Sequence, residues 1–124
     1  MIMIGKAELE ALSTWISDLP DVTQAPHRFG GTEFQVQGLE FMHFHGYTHL
    51  DIRLSKEDQL RVLSEEKADH HMFAPQAGWV TFRIRSPEDI PRAREIIELA
   101  YENARTIVET QKARKAAQAG YQAF

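Results

Sequence analysis

From Thr32 to Leu54 apolar and polar side chains run mainly in alternation, with breaks at Gly38 and at Gly46-Tyr47. A period of two belongs to strands that bury one face, and short glycine-bearing breaks between such strands make them antiparallel neighbours. The pattern predicts a meander over 32–36, 39–45 and 48–54, with Phe34 and Val36 sharing a face. Trp79 to Arg85 alternates again, with Val80, Phe82 and Ile84 directed inward, and supplies a fourth strand.

Helices flank this sheet. Leu9, Leu12, Ile16 and Leu19 recur at helical spacing before Pro20, so 5–19 is expected to be an amphipathic helix, followed by a loop through Pro26 and Gly30-Gly31. Ser55 with Glu57 and Asp58 marks the start of a second helix over 56–67, with Leu60 and Leu63 as its apolar contacts. Ser86 as cap and Pro87 at the first helical position open a third, over 87–110. Its Ala93, Ile96, Ile97, Ala100, Tyr101, Ala104, Ile107 and Val108 form one broad apolar stripe, and 112–124 is expected to fray or to pack on a partner. A chain of 124 residues with 43% hydrophobic content fits one core, so a single domain is expected over 1–124. The fold class is α+β: a four-stranded antiparallel sheet with the helices packed mainly on one face.

Several chemistries are excluded or disfavoured. With no cysteine there is no disulfide, thiolate nucleophile or Cys-ligated metal, so any ion must rest on histidine and carboxylate. A net charge of −4 and a pI near 5.8 do not suit nucleic acid as a partner. No apolar run approaches a membrane span, and Met1 to Ile4 is too short for the apolar core of a signal peptide, so no membrane partner and a cytoplasmic location are expected. Gly-x-Gly-x-x-Gly, Gly-x-Ser-x-Gly and His-Glu-x-x-His are all absent, which removes support for nucleotide cofactors, nucleophilic hydrolysis and zinc proteolysis.

Chemistry-bearing residues crowd into His43-Phe44-His45-Gly46-Tyr47-Thr48-His49-Leu50-Asp51, joined by His70-His71 and Trp79. Two histidines one residue apart on a strand share a face and can hold a divalent metal, with Asp51 as the expected third ligand. The blander reading is a hydrogen-bonded pair that orders a hairpin. Register decides the matter, because one residue more or less in the turn flips every side chain. A two-residue turn puts His43 and His45 toward the helices. A three-residue turn or bulge pairs His45 with His49 and His43 with Asp51, gathers them on the face away from the core beside Trp79, Thr81 and Arg83, and sends Met42 and Phe44 inward; this second arrangement is favoured. Trp79 on an open sheet face needs cover, from a ligand pocket, the 68–78 loop or a second subunit. Of His70 and His71, one is expected to be ordered and the other to face solvent.

The motifs from Pro26-His27-Arg28-Phe29-Gly30-Gly31-Thr32-Glu33-Phe34, through His43-Phe44-His45-Gly46 with Asp51, His70-His71 with Pro75 and Gly78-Trp79-Val80, to Ser86-Pro87-Glu88-Asp89-Ile90-Pro91 follow a shared order and spacing. Over about residues 25–104 the chain resembles the luciferase-domain family, and is similar to its short bacterial members. The family takes its name from fungal luciferases, which oxidise a hydroxylated pyrone with molecular oxygen. The resemblance implies that His43, His45, Asp51, His71 and Trp79 fall on shared positions, whereas His49 stands outside the pattern. The light-emitting members are longer, so the activity implied for this chain is a dark oxygenase or a binding protein.

Oxygenation without a cofactor needs a base for an enolic or phenolic substrate and an apolar cavity for the resulting anion. His43 or His45 fits the base and Asp51 its orienting partner. Trp79 with Phe44 or Tyr47 fits the cavity wall, and His71 and Arg83 complete the expected ligand-binding set. Three readings follow: a small-molecule enzyme or binder on the histidine face, a divalent-metal site on His43, His45 and Asp51, or a non-catalytic domain in which Arg53, Glu40 and the histidines are a polar sheet surface or a homodimer interface.

Overall fold

The alternating segments pair as an antiparallel sheet, and two further strands extend it at its edges. The computed structural model of the protein describes residues 5–27, 30–46, 48–71 and 78–122. Its elements run α1 (Lys6–Ser17), β1 (Val22–Pro26), β2 (Thr32–Val36), β3 (Leu39–His45), β4 (His49–Arg53), α2 (Lys56–Ser64), β5 (Asp69–His70), β6 (Trp79–Arg83) and α3 (Asp89–Gln122). The sheet has six strands in the order β1-β2-β3-β4-β6-β5, not four, and every pairing is antiparallel.

Both additional strands lie at edges, where few apolar residues are needed. β1 is mostly exposed and ends in Pro26, which an edge strand tolerates because one row of its amides needs no partner. β5 is only two residues long, Asp69 and His70, both exposed, and is held by β6 alone. Neither carries the half-buried alternation by which a strand announces itself.

One face of the sheet carries Phe34, Val36, Met42, Phe44, Leu50, Ile52, Val80 and Phe82, all buried, against Leu9, Leu12 and Ile16 of α1 and Ala93, Ile97, Ala100, Tyr101, Ala104 and Val108 of α3. The Tyr101 hydroxyl donates to the Pro20 carbonyl at 2.8 Å, tying α3 to the chain leaving α1. In α2 the buried residues are Gln59 and Val62; Leu60, expected inside, is 62% exposed, while Leu63 is half-buried against the core. Gln59 turns inward because its side-chain amide donates to the Trp79 carbonyl at 3.1 Å. The last helix begins at Asp89 rather than at Pro87, since the Asp89 carboxylate accepts from the amides of Arg85 and Ser86 and makes the turn itself. It also continues past residue 110 to Gln122: Lys, Ala, Gln and Arg favour helix without tertiary cover, and 111–120 are exposed.

β3 contains the irregularity on which the site depends. Phe34 pairs with Met42 but Gln35 pairs with Glu40, so Phe41 is an extra, bulged residue. Phe41 is buried, with its ring 6.0 Å from that of Tyr101, and therefore lies on the helix side together with Met42. The alternation resumes one residue out of step.

Candidate functional site

The turn after β3 is the three-residue kind. His45 pairs with His49, His43 with Asp51, and Phe44 with Leu50, which places both histidines on the face away from the helices. β6 continues the row, with Asp51 opposite Thr81 and Arg53 opposite Trp79. β5 brings His71 in beside them.

The centre of the cluster is the Asp51 carboxylate, 2% exposed. Its Oδ2 lies 3.0 Å from His43 Nε2, 3.1 Å from His45 Nε2 and 3.4 Å from His71 Nε2. Its Oδ1 accepts from Thr81 Oγ1 at 2.8 Å and lies 3.0 Å from His49 Nε2. His43 and His45 also meet directly, Nε2 to Nε2, at 2.8 Å. Behind His43, its Nδ1 contacts Glu40 Oε1 at 2.7 Å. His27, at the end of β1, stacks on His43 with ring centroids 4.0 Å apart, and its Nδ1 lies 3.3 Å from Glu33 Oε1 and 3.7 Å from Glu40 Oε1. Trp79 lies against His43 and His71, at 5.4 and 6.0 Å between centroids.

Burial alone would lower the His43 pKa, but hydrogen bonds to Asp51 and Glu40 and their negative charges overcome it and raise it to about 9. His45 moves the other way, lowered by burial and then by the charge of His43. Burial would raise Asp51, yet hydrogen bonds from His43, Thr81 and His49 hold its carboxyl well below the usual carboxylate range. Among the described residues no lysine or arginine forms an ion pair with Asp51, Glu40 or Glu33, so the cationic groups paired with these carboxylates there are imidazoles.

The residues singled out from sequence are thus partly assembled. His43, His45, Asp51, His71 and Trp79 come together, with His43 buried and the side chain of His45 36% exposed. His71 is the ordered member of its pair and His70 the exposed one. Phe44 does not wall the site: it is buried on the helix side, edge-on to Phe34 at 5.6 Å. Tyr47 lies outside the described residues. Arg83 lies in the His49 row but lines a groove of mixed charge with Lys67, Arg85, Asp89 and Arg92. Three residues enter that were not proposed as site residues, His27, Glu33 and Glu40. Glu40 was read only as part of a polar sheet surface; the bulge is what brings it against His43, because residues i and i+3 of a regular strand point to opposite faces. His27 and Glu33 stood in plain view within the Pro26-to-Phe34 motif.

An antiparallel sheet covered by helices on one face, with a buried imidazole–carboxylate centre on the other, defines an α+β protein that carries its polar chemistry on the sheet face away from the helices. The luciferase-domain family model matches residues 38–100, just over half of the chain, and the protein belongs to that family. That stretch includes β3, β4 and β6, the strands that supply His43, His45, Asp51, Trp79 and Thr81. A comparison with curated proteins gave no match. Among the described residues no helix is long and apolar enough to cross a membrane.

Proposed function

We propose that this luciferase-domain protein binds a small oxygen-bearing molecule, an enol or a phenol, at the rim of the histidine face, and that its chemistry begins with ionisation of that O–H. One observation carries the reading. A carboxylate 2% exposed contacts four imidazoles, and two of those, His45 and His49, keep 36% and 32% of their side chains in solvent. Buried ionic clusters seldom serve stability, because desolvation consumes the Coulombic gain; they are retained where a site needs fixed, oriented charge. Here His43 and Asp51 are the fixed part, while His45 and His49 are the groups a ligand can reach. The indole of Trp79 supplies a flat apolar surface beside them, suited to a planar ring. Oxygenation of the ionised ligand is the reaction that the resemblance implies for such a site.

The test compares His45→Ala with Ile97→Ala. His45 is partly solvated, so its truncation is expected to cost about 1 kcal/mol or less. Ile97, fully buried between α3 and the sheet, is expected to cost roughly 2–5 kcal/mol through the cavity it leaves. Binding of simple phenols and enolic heterocycles, followed by changes in protein NMR shifts, is expected to weaken at least tenfold, about 1.4 kcal/mol, in His45→Ala and to persist in folded Ile97→Ala. Denaturant melts in which His45→Ala is as unstable as Ile97→Ala, or unchanged ligand affinity in His45→Ala, would count against the assignment.

A further inference from the structure

We infer that the histidine face is a divalent transition-metal centre, with His43 Nε2, His45 Nε2, His71 Nε2 and Asp51 Oδ2 as its ligands. The inference deepens the reading above and rests on it only in placing the bound small molecule at the same centre.

Three of these atoms form a triangle that protons cannot satisfy. His43 Nε2, His45 Nε2 and Asp51 Oδ2 lie 2.8, 3.0 and 3.1 Å apart, each pair at hydrogen-bonding distance. If only His43 carries a proton on Nε2, it can point at His45 or at Asp51, and the His45–Asp51 edge is left as two lone pairs facing each other. If both histidines carry that proton and both donate to Asp51, two N–H groups face each other across 2.8 Å. Every assignment leaves one buried edge repulsive, at the cost attached to an unsatisfied polar contact. One cation bound by all three atoms removes the conflict, since each then directs a lone pair at the same point.

The dimensions agree. Ligands held at the usual zinc–nitrogen and zinc–oxygen lengths around a tetrahedron stand about 3.3 Å from one another. The separations of 2.8 to 3.1 Å within the triangle, and the 3.4 Å from His71 Nε2 to Asp51 Oδ2, bracket that value. The supporting shell is also of the kind metal ligands require. With an ion in place of the Nε2 proton, Glu40 Oε1 at 2.7 Å would hold the remaining proton of His43 on Nδ1, and Thr81 and His49 occupy Oδ1 of Asp51, which would leave Oδ2 for the ion. Three imidazoles and one carboxylate, without sulfur, suit Zn²⁺ or Fe²⁺ rather than Mg²⁺ or Ca²⁺, which prefer all-oxygen sites. An ionised enol or phenol would enter as a further ligand, from the side where His45 is open to solvent.

The full chain, purified without a polyhistidine tag and stripped with a chelator, is titrated with Zn²⁺ in a calorimeter and with Co²⁺ followed by its visible absorption. The expected result is one equivalent bound, with the intense visible bands of low-coordinate cobalt. His45→Ala and His71→Ala each lose at least tenfold in affinity, Glu40→Gln loses about 10–100-fold, and His70→Ala, which lies outside the set, binds as the parent does. His45→Ala removes a half-exposed side chain and leaves the sheet intact, so its failure to bind cannot be read as a failure to fold; far-UV circular dichroism checks this. Less than about a tenth of an equivalent of Zn²⁺ or Co²⁺ retained at micromolar metal overturns the inference, and so does equal affinity in the parent and His45→Ala. If the metal-free protein binds phenols with unchanged affinity and takes up no Zn²⁺, the small-molecule reading survives and the metal centre does not. If Zn²⁺ binds as described and no phenol or enol does, the reverse holds.

Discussion

Replacing Gly31 by Ala is expected to cost at least ~4 kcal/mol, enough to leave much of the chain unfolded at room temperature, whereas replacing Gly38 by Ala is expected to cost about 1–2 kcal/mol. Both glycines have left-handed backbone, with φ of +83° and +87°, so both variants lose the same conformational ease. Their surroundings differ. A Cβ on Gly38 meets nothing within 4 Å, because the residue stands at an open turn between β2 and β3. A Cβ on Gly31 strikes the carbonyl oxygen of Phe44, and the backbone of His45 is next in line. A strand carbonyl cannot swing aside as a flexible side chain can, so either β2 or the end of β3 must move. Because that end carries His45, the damage reaches the site as well as the fold. Paired denaturant melts decide the matter: equal destabilisation of the two variants would show that left-handed backbone, not the close approach of β2 to β3, is what Gly31 provides.

The contrast between these glycines also shows how far sequence alone reaches. Gly30-Gly31 was readable as a loop because paired glycines a few residues after a proline seldom mean anything else. That one of them lets two strands close up is a tertiary fact with no local signature. The same division runs through the sheet. β2, β3, β4 and β6 carry apolar side chains on one face and polar ones on the other, so their alternation is written in Phe34, Val36, Leu50, Ile52, Val80 and Phe82. β1 and β5 gain their pairing from a neighbour and bury little, so Thr23, Gln24, Asp69 and His70 carry no such mark. The bulge was half visible: Phe41 and Met42 are adjacent apolar residues where strict alternation allows one, and both are buried. Taken as a bulge signal, that pair brings Glu40 onto the face of His43. The register at 45–49 was legible from the same kind of argument, since only the longer turn sends Met42 and Phe44 to the core. His27 was not reachable by periodicity, because its place against His43 depends on β1 being a strand at all.

Asp51→Ala is expected to be the most damaging single change in the polar half of the molecule, about 3–5 kcal/mol at pH 6 in the presence of a chelator. The side chain is small, so little packing is lost; the cost comes from what remains. Four imidazoles and the Thr81 hydroxyl all direct a polar atom at the position of this carboxylate, and removing it leaves them buried or half-buried without their common acceptor. The penalty should depend on pH, with a sign fixed by the two shifts. The His43 pKa is raised from 6.5 to about 9 in the folded chain, so its contribution is full below pH 6.5 and disappears as pH rises through 9. Asp51 is lowered from 3.8, so its contribution is present above that value and is lost as pH falls through its folded pKa. Between those limits both partners of the buried pair are charged in the wild type and unpaired in the variant. Guanidinium melts of wild type and Asp51→Ala in chelator are therefore expected to differ most near pH 6 and to converge above about pH 9.5 as the imidazolium is lost from the wild type. A difference below ~1 kcal/mol at pH 6, or one that stays constant to pH 9.5, would mean that the His43–Asp51 pair carries no net stabilising charge interaction. Adding one equivalent of Zn²⁺ should then raise the midpoint of the wild type and leave that of the variant nearly unmoved, because a ligand stabilises only the fold that binds it.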